Sequence, residues 1–144
     1  MTPRVAASLT ALVGEWVACT ANLCALALLG SWARGEATAA SDLDLLVLAA
    51  QPRVYRGSRP QLAAIGLAAA GYRILSRRRV RYGVVTSQIL TLEPDAELEL
   101  AFGGPDWAEI AGTDPGTTAV IRGGFRILVD KDGWLRRAAD AAAG

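Results

Sequence analysis

The amino-acid sequence has no histidine, one lysine and two cysteines among its 144 residues. Without imidazole, Ser-His-Asp and Cys-His nucleophilic pairs are excluded, as is every zinc site that needs a histidine ligand. The single lysine, Lys131, lies in a turn-like Asp-Lys-Asp-Gly context, where we expect nothing nearby to desolvate its amine. Any catalysis by this chain therefore depends on carboxylates and arginines.

The two cysteines do not form a metal framework. Cys19 and Cys24 stand five positions apart, and no further cysteine or histidine accompanies them. We expect two buried thiols in a reducing cytoplasm.

A charge-free run of 18 residues, 16–33, has the minimum length to cross a bilayer of about 30 Å. Thr20, Asn22, Gly30 and Ser31 interrupt its apolar character, and no clear basic segment precedes it as in a signal peptide. A helix end followed by a buried strand explains the run better. The sequence therefore predicts a cytoplasmic protein without a membrane segment.

Hydrophobic periodicity predicts one α+β domain over residues 1–144. Helices are predicted over residues 4–20, within 31–41, over 61–70 and over 134–142. Strands are predicted over residues 23–29, 42–48, 72–75, 80–92, 96–102 and 125–129, with a turn at 93–95. Residues 114–117 are predicted to form a turn and nothing more, and Trp107 to anchor the core under the sheet.

The charges balance overall, at 15 Lys+Arg against 14 Asp+Glu, but they are segregated along the chain. Eight arginines and no acid lie between Leu45 and Leu92, whereas seven acids and no base lie between Glu93 and Asp114. A solvated face is the commoner explanation of such blocks. The alternative is an anionic ligand, either a nucleoside triphosphate or a nucleic acid.

Two short motifs carry the candidate chemistry. A buried strand ends in Gly30-Ser31 and turns into a helix, which leaves backbone N–H groups that favour bound phosphate. Asp42 and Asp44 are two apart on a predicted strand, so both carboxylates leave the same face. Two carboxylates on one face favour a hard divalent cation, and two such ions can clamp the oxygens of an in-line displacement.

The pattern Gly-Ser-x-Ala-Arg-Gly followed by Ser-Asp-x-Asp-Leu-x-Val, complete over Gly30 to Val47, resembles the signature of the DNA polymerase β-like nucleotidyltransferases. The likeness is greatest to the minimal bacterial domains of that superfamily. The resemblance implies a palm-like fold, a small mixed β-sheet flanked by helices that pack on one side. It also implies Mg²⁺-dependent transfer of a nucleoside monophosphate from a triphosphate, most simply AMP from ATP, to a hydroxyl acceptor.

The resemblance also assigns roles to residues. Asp42 and Asp44 would bind two Mg²⁺ ions. A third carboxylate, as metal ligand and base, would come from the alternating strand over 96–102, where Glu99 is preferred and Glu97 is the alternative. The predicted nucleotide contacts are Gly30, Ser31, Arg34, Gly35 and Ser41.

The acceptor is the least determined part of the prediction. A chain of this length has no room for a second domain of ordinary size, so a protein partner, a second copy or a macromolecular acceptor would complete the site. Resemblance to minimal antitoxins implies a helical toxin partner. The alternatives are a non-catalytic module that neutralises its partner by binding, an RNA-end transferase, and a transferase acting on small molecules of the aminoglycoside kind.

Overall fold

The computed structural model describes residues 1–57, 62 and 64–144, and its strands form one six-stranded sheet. The strands are β1 (Leu23–Leu29), β2 (Leu43–Ala49), β3 (Arg73–Tyr82), β4 (Val85–Glu93), β5 (Ala96–Gly103) and β6 (Phe125–Asp130). Their order is β3-β4-β5-β2-β1-β6. β2 and β5 are parallel and the other neighbouring pairs are antiparallel, which confirms the predicted mixed sheet.

Helices flank this sheet. They are α1 (Pro3–Cys19), α2 (Gly30–Arg34), a 3₁₀ turn (Pro52–Tyr55), α3 (Pro105–Glu109), α4 (Pro115–Arg122) and α5 (Trp134–Ala143). The helix predicted over 61–70 falls partly outside the described residues, and positions 64 to 71 consist mainly of turns. Among the helices described, none combines the length and apolar character that a bilayer crossing requires.

Strand alternation divides the core between the two faces of the sheet. On the first face, α1 packs through Leu9 and Val13 against inward residues of the central strands such as Leu45. On the second face, α3, α4 and α5 pack around Trp107 and Leu135. The expectation that helices lie on one side is therefore wrong, because both faces of the central strands carry apolar residues and both need a cover.

The predicted strand boundaries are wrong at the Arg-rich edge of the sheet. Residues 72–75 were expected to form a short strand and 80–92 a single long one, but β3 runs through to Tyr82 and a turn at Gly83 and Val84 leads into β4. The residues on both sides of Gly83 are apolar or β-branched, so composition alone does not reveal this hairpin.

The expectation of a simple turn at 114–117 is also wrong. Asp114 is the N-cap of α4, where its Oδ2 accepts hydrogen bonds from the Thr117 backbone N–H and hydroxyl, both at 2.9 Å. Pro115 occupies the first turn of the helix, where its missing N–H has no cost. Trp107 is buried on the second face, as predicted.

Lys131 makes contacts that the sequence did not indicate, and one of the two cysteines differs from expectation. The Lys131 ammonium donates to the carbonyls of Val17, Thr20 and Leu23 at 2.8, 3.1 and 2.7 Å, so it joins the end of α1 to β1. A cation at a helix C-terminus is favourable because the last carbonyls have no partners within the helix. Cys24 is buried as predicted, but Cys19 is exposed on the last turn of α1.

The three carbonyl contacts predict that Lys131→Met lowers the free energy of unfolding by about 1–2 kcal/mol, because the carbonyls lose a charged donor. Urea unfolding followed by circular dichroism measures the change. Arg126→Met, an exposed position on β6, is the matched control and should change it by less than about 0.5 kcal/mol. Equal effects of the two substitutions would contradict the role of Lys131.

Candidate active site

Four carboxylates lie together on the second face of the sheet. In the parallel pair of β2 and β5, Asp44 lies directly opposite Glu99, while Leu43 and Leu98 lie opposite each other and point into the first core. Glu97 precedes Glu99 by two residues on β5, and Asp42 lies directly before β2. The carboxyl groups of Asp42 and Glu97 are close enough to share a hydrogen bond. The register of one parallel strand pair therefore creates the cluster.

Burial and negative neighbours raise the pKa values of Asp44, Glu97 and Glu99. Burial, followed by the negative charges of Glu99, Asp42 and Glu97, raises the pKa of Asp44 to about 7. Burial and the charge of Asp42 also raise the pKa of Glu99. The hydrogen bond with Asp42, together with burial, raises that of Glu97. A positive charge among these oxygens would relieve the repulsion.

The start of α2 lies directly against Asp44. Gly30 has a φ of +67°, and a Cβ built there would stand 3.0 Å from Asp44 Oδ2. Its N–H donates to the Gly124 carbonyl at 3.2 Å, which joins this turn to the residue before β6. Ser31 follows within α2, and Gly35 ends that helix at a φ of +72°. The glycine turn predicted to bind phosphate and the carboxylates predicted to bind metal are thus neighbours.

Two other predicted nucleotide contacts already have partners within the chain. The Arg34 guanidinium donates to the Gly123 carbonyl, and its Nε donates to Glu36 at 3.1 Å. Ser41 Oγ accepts a hydrogen bond from the Thr38 backbone N–H at 2.8 Å. Both side chains hold the loops around the site, and their contacts with a nucleotide stay predictions.

Sequence reasoning missed Arg78 as a neighbour of the acids. Arg78 pairs with Ile89, which pairs with Glu99, so all three lie in one row on the same face. Its positive charge lowers the pKa values of Glu97 and Glu99 against the larger effects that raise them. The pairing of β3 with β4 identifies Arg78 as this neighbour. The run Arg77-Arg78-Arg79 alone does not show which arginine faces the acids.

The donor set fits a hard divalent cation by its chemistry. Carboxylate oxygens are the ligands that Mg²⁺ prefers, and burial beside like charges gives the acids a reason to bind it. Within the part of the chain that the structure describes, no three acidic, thiol or imidazole side chains are already grouped as a metal site. Asp42, Asp44 and one or both glutamates are the residues that could hold such an ion.

An apolar cleft of about 560 Å³ opens beside Glu99 on the same face. The β3–β4 turn forms one wall, α3 and α4 form another, and the floor is the sheet at Leu46 and Ala101. Glu99 is the member of the carboxylate cluster that borders the cleft.

Comparison with known proteins matches the chain to one family. Residues 23–103 match a family model described as a nucleotidyltransferase domain. No protein of curated function matches the chain. Among solved structures, a cytoplasmic RNA terminal U-transferase is 19% identical, with a TM-score of 0.43 over 71% of this chain and 30% of that one. The Cid1 poly(U) polymerase with bound Mg 3′-dATP is 22% identical, with a TM-score of 0.42 over 82% of this chain and 36% of that one. This chain thus spans about a third of the length of these two proteins.

The raised pKa of Asp44 predicts an unusual pH dependence of stability in metal-free protein. The pKa of Asp44 is about 7 in the folded protein and 3.8 ordinarily. Between these two pH values its carboxyl group is protonated in the folded protein and ionised in the unfolded chain. The contribution of Asp44 to the free energy of unfolding therefore falls as the pH rises from about 4 to 7. The free energy of unfolding, measured in urea at pH 5 and 8, should fall less with rising pH in Asp44→Asn than in wild type.

Asp114→Asn is the control for this experiment, since hydrogen bonds from Thr117 lower the pKa of Asp114. Its contribution is lost only as the pH falls through that lowered pKa, so Asp114→Asn should keep the wild-type slope between pH 5 and 8. If Asp44→Asn also kept that slope, the assignment of the high pKa to Asp44 would be wrong.

Proposed function

Because the chain belongs to the nucleotidyltransferase domain family, we propose that it transfers AMP from ATP to a hydroxyl acceptor with two Mg²⁺ ions. The observation that carries the proposal is the position of Asp44. It faces Glu99 across the parallel strands and lies beside Gly30, so the predicted metal ligands adjoin the predicted phosphate turn. Repulsion among the acids supplies the driving force for cation binding.

Each part of the site would have one task. Asp42 and Asp44, with Glu99 or Glu97, would hold the ions, which when bound would neutralise phosphate charge and polarise the α-phosphate. The backbone around Gly30 and the hydroxyl of Ser31 would hold the triphosphate tail.

The transfer step needs no reactant besides ATP and the acceptor. The acceptor oxygen attacks the α-phosphorus, a new P–O bond forms, and the bond between the α-phosphorus and the bridging oxygen breaks to release pyrophosphate. The acceptor proton passes to Glu99, which also borders the cleft from which an acceptor would approach. No histidine is needed at any point.

An RNA 3′ end is a second candidate acceptor, and the exposure of β3 favours it. This edge strand carries Arg73, Arg77, Arg78, Arg79 and Arg81, and all but Arg77 are exposed. Simultaneous Arg77→Gln, Arg78→Gln and Arg79→Gln substitutions would weaken transfer to RNA by reducing phosphate contacts, with a shallower salt dependence. The helical toxin partner and the homodimer stay predictions of the family resemblance.

Asp44→Asn should lower Mg²⁺-dependent pyrophosphate release from ATP by at least about a hundredfold, because one metal ligand is lost. Release is measured with a coupled colorimetric assay over a panel of hydroxyl compounds. Asp140→Asn, an exposed carboxylate on α5, is the control and should behave as wild type. Unchanged release in Asp44→Asn would reject the proposed site.

Gly30→Ala and Gly71→Ala form a matched pair, since both glycines have positive φ and Gly71 lies outside the predicted nucleotide contacts. An added methyl at Gly30 meets Asp44 Oδ2 at 3.0 Å, whereas nothing lies within 4 Å of one at Gly71. Both variants should lose about 1–2 kcal/mol of stability from backbone strain. Calorimetry should show Mg–ATP affinity reduced at least about tenfold in Gly30→Ala alone, and equal affinities would contradict the proposed phosphate turn.

A further inference from the structure

The cleft beside Glu99 is mainly apolar, unlike the neighbouring carboxylate cluster. Its lining includes Leu46, Ala101 and Trp107, and its volume of about 560 Å³ lies in the range of small-molecule pockets. Of the described residues that line it, two are acids, Glu99 and Asp114, and none is an arginine or lysine.

Asp114 gives the cleft a negative charge apart from the proposed metal ligands. Its Oδ2 accepts both hydrogen bonds from Thr117 at the start of α4. Asp114 lies on the helical wall, whereas Glu99 lies on the sheet. When metal ions compensate the charge of Glu99, Asp114 keeps the cleft anionic. A polyphosphate or an RNA backbone would meet repulsion there, whereas an ammonium group would meet attraction.

The lining also distinguishes the cleft from the triphosphate turn. It includes Leu29 and Glu99 but no residue of α2 and neither Asp42 nor Asp44 among the described residues. A molecule seated here would therefore meet the carboxylate cluster at Glu99, beside Leu29, the N-cap residue of α2. This is the position of a group that gives up a proton to Glu99.

We propose that the cleft binds the acceptor, and that the acceptor is a small hydroxylated amine with an apolar or aromatic body. The inference deepens the proposed function and rests on it, since Glu99 is the base in both. The amine lies toward Asp114, the apolar body contacts Trp107 and Val120, and the hydroxyl reaches Glu99. An RNA end and a protein side chain are the competing acceptors.

A pair of probes of similar size and opposite charge tests the proposal: tyramine, which is cationic, and 3-(4-hydroxyphenyl)propionate, which is anionic. Titrations followed by amide NMR shifts, without ATP and with or without Mg²⁺, give the affinity of each probe. Tyramine should bind at least about fivefold more tightly in both conditions. Its shifts should map to Val85, Trp107 and Val120.

Two variants on α4 test whether the preference for tyramine arises in the cleft. Val120 lines the cleft and is exposed enough to accept a longer side chain, whereas its exposed neighbour Ala119 does not line it. Val120→Arg should remove the preference for tyramine, and Ala119→Arg should keep it. Equal affinities for the two probes in wild type, or an undiminished preference in Val120→Arg, would overturn the proposal.

Adenosine and a short single-stranded RNA serve as competitors. Displacement of tyramine by adenosine would make the cleft a nucleobase site, and displacement by the RNA would make it an RNA-end site; either result overturns the proposal. If the proposed function is wrong, the protein releases no pyrophosphate but still binds tyramine at the cleft. Equal affinities of wild type for the two probes, with pyrophosphate release present, would reject the inference alone.

Discussion

The parallel pairing of β2 with β5 is the constraint on which the rest of the site depends. It places Asp44 opposite Glu99 and, on the other face, Leu43 opposite Leu98. A slip of one residue would turn the leucines toward solvent and the carboxylates into the core, so burial of the leucines fixes the positions of the acids. The core under α1 is therefore what holds four like charges together on the opposite face.

Holding these charges together opposes folding in the metal-free protein and prepares the site for a cation. Burial, followed by repulsion from the neighbouring acids, raises the pKa of Asp44 to about 7, although Arg78 lies in the same row of the sheet. A divalent ion would convert this repulsion into attraction. The absence of histidine is consistent with such a site, since carboxylates can both hold the ion and take the proton that the acceptor hydroxyl releases.

The sequence predicted what depends on local pattern. Alternation on a strand placed Asp42 and Asp44 on one face, and the apolar run of β1 and the periodicity of α1 gave those elements within a residue or so. What it missed depends on pairing between distant segments. Alternation does not say whether Glu97 or Glu99 lies opposite Asp44, nor that Arg78 joins that row. The carbonyls bound by Lys131 likewise lie more than 100 positions away.

Diffraction from crystals soaked with Mn²⁺ and a non-hydrolysable ATP analogue tests the central claim most directly, because anomalous scattering locates the metal without assumptions. The account predicts two Mn²⁺ peaks within about 2.5 Å of carboxylate oxygens of Asp42, Asp44 and either Glu99 or Glu97. The phosphates should lie over Gly30 and Ser31. Phosphates bound along β3, with no metal between β2 and β5, would contradict it.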